Sequence, residues 1–292
     1  MSVAYRVQSI SKNDNLNINT EITTAKIELT GKCTLSCQFC ANKNFAEHNV
    51  RQTIMTEEHF EKVIKAINNV KTLKEVGLFF MGESGLHPLL SVFYKKLSEA
   101  GYFTYLTTNG TIIYNILKAI PYIDSLKVSW NYKNKEDFMS KTNKSSLLYD
   151  NIITNINILY EECHRYNKKL AISTVLDSKK EDYESSLSQL KYDEHYYLPL
   201  QSQCGIITGE NGVIGTYDNP VSPLPCWSLF KGLYVDVDLN VRTCCYSHSP
   251  EHILGNILEE DINVILNRKN ILKKLQLEKV VPKICTQCQK HD

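Results

Sequence analysis

From residue 25 onward, apolar residues recur in two periods that alternate along the chain. Ala25-Lys-Ile-Glu-Leu-Thr30 alternates apolar and polar side chains, the period of a half-buried strand. Residues 56–69 (TEEHFEKVIKAINN) open on Thr56, a good N-cap, and place Phe60, Val63, Ile64 and Ile67 at helical spacing. The same alternation predicts strands at 75–80, 102–107, 124–130, 169–176 and 195–200. Helices are predicted between them at 88–100, 111–119, 146–166 and 181–190, the first with Pro88 at its start. Strands that alternate with amphipathic helices pair in parallel through right-handed crossovers. Six such strands before residue 205 predict an α/β fold, a partial (β/α)6 TIM-like barrel. Beyond it, residues 233–244 read as a β-hairpin turning near 238–240. Leu254-Gly-Asn-Ile257 then leads into a helix at about 259–276. The expected organisation is an N-terminal extension over 1–24, a barrel over 25–205 and a small C-terminal domain over 206–292. The extension is polar, weakly patterned and too short for a folded recognition domain.

Composition narrows the function classes. The chain has 292 residues, 33 basic against 32 acidic, a formal net charge of +1. That balance argues against a general nucleic-acid partner. No apolar run has the length of a membrane span, and the first residues lack an apolar signal core. A cytoplasmic protein with no membrane partner is expected. Ten cysteines without a secretion signal point to metal ligation rather than disulfides.

Three of those cysteines, Cys33, Cys37 and Cys40, follow the first strand as C-x3-C-x2-C with Phe39 before the last. One loop can wrap three thiolates around one centre. A structural zinc takes four ligands in a closed tetrahedron. A [4Fe–4S] cube held at three irons leaves the fourth open to a small molecule. A zinc knuckle with a remote fourth ligand is the competing reading. Other chemistry-bearing residues fall where strands of a parallel barrel end, the usual place of a site. Gly82-Glu83 follows strand 2, Thr108-Asn109-Gly110 follows strand 3, and Ser129-Trp-Asn131 ends strand 4.

This arrangement resembles the radical S-adenosylmethionine (radical SAM) superfamily. The resemblance implies that Cys33, Cys37 and Cys40 bind a cluster whose open iron chelates SAM. Gly82 and Glu83 match its GGE motif in part, with Met81 where the first glycine is usual, and would contact the SAM amine. Ser129 and Asn131 stand where the family contacts the SAM ribose or carboxylate, and Thr108 and Asn109 line the same mouth. Each of these four residues could equally be a turn residue.

A second cysteine set comprises Cys226, Cys244, Cys285 and Cys288, with Cys245 adjacent as a reserve ligand. By spacing alone, zinc is the first guess. The order of cysteine, hairpin, cysteine, Leu-Gly-Asn-Ile, helix and Cys-x2-Cys resembles the auxiliary-cluster (SPASM) region of radical SAM proteins. It is closest to the shortened "twitch" form with one auxiliary [4Fe–4S] cluster, as in butirosin-type aminocyclitol dehydrogenases. Leu239 or Asn240 stands where glycine is usual in the hairpin turn. Cys163 reads as a core thiol, and Cys204 is a hydrogen-atom donor if the enzyme is an epimerase.

The resemblance implies reductive cleavage of SAM to a 5′-deoxyadenosyl radical and hydrogen-atom abstraction from a substrate. The electron left behind would pass to the auxiliary cluster. An external one-electron donor such as flavodoxin or ferredoxin would feed the first cluster. Two-electron oxidation of a sugar- or cyclitol-type alcohol is the first reading. Peptide modification by crosslinking or epimerisation is the second, so the substrate partner is a small molecule or a peptide. A non-enzymatic zinc protein is the third. His87, His195 and Arg242 are candidate proton acceptors by rough position.

Overall fold

The structure is a computed structural model that describes residues 16–42, 53–200, 203, 225–247 and 250–285. Strand β1 (Thr24–Ile27) lies inside one continuous nine-stranded sheet. On one side of it stand, in order, β2 (Glu75–Gly77), β3 (Phe103–Thr108), β4 (Ser125–Ser129), β5 (Leu170–Leu176) and β6 (Glu194–Pro199), all parallel. On the other side β7 (Gly232–Val235) pairs parallel to β1 with Thr24 opposite Gly232. It continues antiparallel into β8 (Asn240–Arg242) and β9 (Ile253–Asn256). The six expected barrel strands are present, and the sheet is open rather than closed. The C-terminal hairpin extends that sheet from β1, and Leu254-Gly-Asn lies within the third strand of a meander.

The helices cover the sheet because their apolar residues recur every three to four positions. Helix α1 (Glu57–Ile67) buries Phe60, Val63 and Ile67. Helix α2 (Leu90–Glu99) buries Leu90, Phe93, Tyr94 and Leu97. Phe60 stacks on Phe93 with ring centroids 3.9 Å apart. Each such side chain removed from water contributes roughly 1.5–3 kcal/mol. After α3 (Tyr114–Ala119) come α4 (Lys135–Thr142) and the long α5 (Ser146–Arg165), which buries Tyr149, Ile152, Ile156, Leu159 and Cys163. The region expected as a helix over 181–190 is a 3-10 turn followed by the short α6 (Glu184–Leu187). Two helices were not foreseen, α4 and α7 (Trp227–Lys231). Helix α4 has a legible start: the Asn134 side chain accepts from Asp137 N at 2.8 Å, with Glu136 and Asp137 in the first turn. Its apolar periodicity is weak, so pattern alone does not reveal it. The chain closes on α8 (Ile262–Leu277), which packs on β9 and α7. Among the described residues no helix is long and apolar enough to cross a membrane.

Candidate functional site

The segment after β1 carries Cys33, and the segment after β2 lies directly on it. The Glu83 N–H donates to Lys32 O at 2.8 Å. A Cβ on Gly82 would sit 2.1 Å from Thr30 O and 2.6 Å from Lys32 O, so only glycine permits this approach. Glu83 is buried, and its carboxylate gathers three donors. Gly85 N and Thr108 Oγ1 donate to Oε1 at 2.9 and 2.8 Å, and Asn109 N donates to Oε2 at 2.8 Å. Burial nevertheless raises its pKa. Glu83 thereby ties the end of β2 to the end of β3.

Asn109 completes the link to the cysteines. Its Nδ2 donates to Cys33 Sγ at 3.5 Å and to Thr34 Oγ1 at 3.3 Å, while its Oδ1 accepts from Thr111 N at 2.9 Å. Thr108 Oγ1 accepts from Gly110 N at 3.1 Å, and Gly110 takes the left-handed φ of 75° that this turn needs. Cys33, Cys37 and Cys40 are each half-buried. Burial pushes Cys33 and Cys37 up to about 12, and the charges of the set oppose one another: Cys40 raises both, and Cys33 raises Cys37. Burial also raises Cys40. Cys37 Sγ lies 3.8 Å from the hydroxyl of buried Tyr132.

Several residues that hold this loop were not foreseen. The C-terminal turn of α4 offers Lys141 O to Gln38 N and Ser140 O to Gln38 Nε2, both at 3.0 Å. Gln203 brackets the last cysteine, accepting from Ala41 N at 3.1 Å and donating to Phe39 O at 3.0 Å. Asn42 Nδ2 donates to Gly31 O at 3.1 Å. None carries a sequence signature; only the cap at Asn134 hinted at α4. Ser129 is half-buried at the end of β4. Asn131 is buried and turned toward β5, its Oδ1 accepting from Val175 N at 2.8 Å. The structure thus brings Cys33, Glu83, Thr108 and Asn109 into one hydrogen-bonded network and directs the Asn131 amide elsewhere.

Among the described residues, no group of three or more His, Cys, Asp or Glu side chains is arranged to hold a metal ion. A [4Fe–4S] cube spreads its ligands over separate irons rather than converging them on one ion.

Of the second cysteine set, Cys226, Cys244, Cys245 and Cys285 lie within the described residues. Cys226 stands at the start of α7, Cys244 and Cys245 follow β8, and Cys285 lies beyond α8. Gln276 joins two of them: Cys226 N donates to its Oε1 at 2.8 Å, and its Nε2 donates to Cys285 Sγ at 3.4 Å. Ser228 Oγ is 3.8 Å from Cys245 Sγ. Lys269 is fully buried, its Nζ donating to Gly232 O at 2.6 Å and Thr243 O at 3.1 Å. Burial lowers that ammonium to about 7, while the Cys244 charge acts in the opposite direction. Cys288 and Cys204 lie outside the described residues.

The three candidate proton acceptors prove to be engaged. Arg242, always cationic, donates from Nε to buried Asp236 at 2.7 Å. His87 Nε2 donates to Met55 O at 2.8 Å, and its Nδ1 accepts from Leu89 N at 3.2 Å. His195 Nε2 donates to Thr174 Oγ1 at 2.9 Å, because that hydroxyl already donates to Trp130 O.

Comparison with known proteins agrees with this geometry. Residues 27–187 match the family model of the radical SAM superfamily, and residues 226–289 match that of an iron-sulfur cluster-binding domain, SPASM. No curated protein matches the chain. Among solved structures, BtrN in complex with AdoMet and 2-DOIA has a TM-score of 0.59 at 14% identity, covering 92% of this chain and 93% of that one. Native anSMEcpe with bound AdoMet has a TM-score of 0.64 at 15% identity, covering 91% and 89%. Streptococcus suis SuiB bound to the precursor peptide SuiA has a TM-score of 0.64 at 12% identity, covering 84% of this chain and 65% of that one. More than half of the chain falls within the first family model, so it belongs to the radical SAM superfamily, a SPASM-type enzyme whose cofactors are S-adenosylmethionine and two iron–sulfur clusters.

Proposed function

We propose that this enzyme is a SAM-dependent dehydrogenase that oxidises a sugar- or cyclitol-type alcohol by two electrons. When bound, SAM supplies the hydrogen-abstracting 5′-deoxyadenosyl radical and the auxiliary cluster an electron sink. The residues fit such groups. Cys33, Cys37 and Cys40 offer three soft donors in a partly buried loop, the set expected for a cube with one open iron. Asn109 orients the Cys33 sulfur. Gly82 and Glu83 shape the mouth beside it, and buried Glu83 is a carboxylate that a SAM ammonium would stabilise. Cys226, Cys244, Cys285 and Cys288 are the proposed auxiliary ligands, and four thiolates leave that cluster no open iron for substrate.

One observation carries the choice of reaction: this chain has a single four-cysteine auxiliary set; its length matches BtrN, 92% against 93%, and nearly as well anSMEcpe, 91% against 89%. The peptide-modifying reading is supported by the higher TM-score of SuiB with its precursor peptide, of which this chain spans 65%. In that reading Cys204 is a hydrogen donor if the modification is an epimerisation. A flavodoxin or ferredoxin is the proposed electron donor in either case.

The test uses anaerobically reconstituted protein with SAM and a one-electron reductant. Panels of cyclitols, amino sugars and short peptides are supplied, and 5′-deoxyadenosine and product are read by mass spectrometry. The dehydrogenase reading expects about one ketone per 5′-deoxyadenosine with a cyclitol or sugar. Turnover confined to peptides would move the assignment to peptide modification.

A further inference from the structure

The inner face of helix α8 starts on apolar Ile262 and Ile265 and continues on polar side chains: Lys269, Lys273 and Gln276 are 0%, 3% and 1% exposed, while Val264 and Ile271 stand 48% and 63% exposed. Positions 269, 273 and 276 are spaced i, i+4, i+7, so they form one stripe on one face. Burying two ammonium groups is unfavourable by several kcal/mol each unless something compensates them.

Two polar heads on the stripe, those of Lys269 and Gln276, are directed at the scaffold of the second cysteine set. Lys269 Nζ donates to Gly232 O and to Thr243 O, the carbonyl immediately before Cys244. It lies over the Tyr234 ring, 5.3 Å from the centroid. Lys273 Nζ donates to Thr20 O at 2.9 Å and lies 5.6 Å from the centroid of the Phe230 ring, four residues beyond Cys226. Gln276 spans Cys226 and Cys285, as described above. No carboxylate pairs with either lysine among the ion pairs of the described residues. The compensating charge is to be sought in the cysteine set itself.

We propose that Lys269 and Gln276 are positioning residues that set the reduction potential of the auxiliary iron–sulfur cluster. This rests on the assignment of that cluster to the second cysteine set. A cluster on four thiolates carries net negative charge and gains more on reduction. A buried cation beside it, and an N–H donated to a ligating sulfur, both favour the reduced form; charge and sulfur hydrogen bonds are two of the levers on such potentials. Lys269 and Gln276 therefore make the cluster a better electron acceptor.

The experiment is a redox titration of the reconstituted full chain followed by electron paramagnetic resonance. A Cys33→Ala/Cys37→Ala/Cys40→Ala background isolates the auxiliary signal. Lys269→Met and Gln276→Leu are each expected to lower the midpoint by about 59 mV, a tenfold change in the one-electron equilibrium. Lys269→Arg is expected to keep the parental potential. A Lys269→Met or Gln276→Leu protein that holds its cluster at the parental potential would overturn the proposal. If Lys269→Met does not fold, Lys269→Arg and Gln276→Leu decide: a potential kept by the first and lowered by the second supports it, and parental values in both overturn it. A background protein that folds but takes up no iron would refute the cluster assignment instead, a separate outcome.

Discussion

The side-chain amide of Asn109 lies 3.5 Å from the sulfur of Cys33 and donates to it across 76 residues of chain. The same residue's backbone N–H is held by Glu83 at 2.8 Å, so strands β1, β2 and β3 meet at one hydrogen-bonded corner. Asn109→Ala removes the donor without touching a ligand. Losing such a ligand-orienting bond lowers metal affinity or activity by roughly 10- to 100-fold. SAM cleavage, read as 5′-deoxyadenosine release, is expected to fall in that range with the fold retained by circular dichroism. Cleavage at the parental rate refutes the role.

Gly82 is the residue that lets two loops touch. In Gly82→Ala the new Cβ meets backbone oxygens, which cannot rotate away as a side chain can. Overpacking of this kind destabilises by about 1–3 kcal/mol. The loop bearing Cys33 moves with it, so Gly82→Ala is expected to lose iron from the first cluster while the second stays loaded. Iron content in the Cys226→Ala/Cys285→Ala background measures this directly.

His87 makes stability depend on pH. Burial holds its pKa below the ordinary value, and both ring nitrogens are matched to the neutral tautomer. The unfolded chain therefore takes up the proton first. The contribution is complete above the unfolded value, about 6.5. It declines as pH falls from there toward the folded value. Urea midpoints measured from pH 8 to pH 5 should fall less steeply in His87→Gln than in the parent, although that variant is less stable at pH 8. His195 and His252, also lowered by burial, act in the same direction and are common to both proteins.

Leu239 sits at φ 66° in the β7–β8 turn, where glycine would be unstrained, yet it is fully buried. Asp236 stabilises the turn, its Oδ1 accepting from Asp238 N and Asn240 N at 3.0 Å each. Removing a buried leucine costs about 2–5 kcal/mol. Relief of the left-handed backbone returns roughly 1 kcal/mol. Leu239→Gly is thus expected to lower stability by about 1–4 kcal/mol in urea titration; a gain would show that strain outweighs burial.

Local chemistry made much of this protein legible from residue order. Alternation along β1 and 3.6-residue spacing in α1, α2 and α5 depend on neighbours within a few positions, as does the N-cap at Thr56, which accepts from His59 N at 3.1 Å. The close spacing of Cys33, Cys37 and Cys40 is likewise a property of one loop, and family and cofactors follow from it. Strand order is not local. That β7 lies against β1, making the C-terminal meander a continuation of the sheet, depends on pairing residues more than 200 positions apart. The partners of the sulfurs are decided in the same way. Asn109 reads as a turn former and Gln276 as one more polar residue on a helix; only the register that brings their amides to Cys33 and Cys285 gives them a task. Helix α8 shows the physical reason most plainly. Hydrophobicity predicts which face a helix buries when burial alone decides, and here Lys269 and Gln276 share the inner face with Ile262 and Ile265 because their polar groups bond to the segments that carry the cysteines.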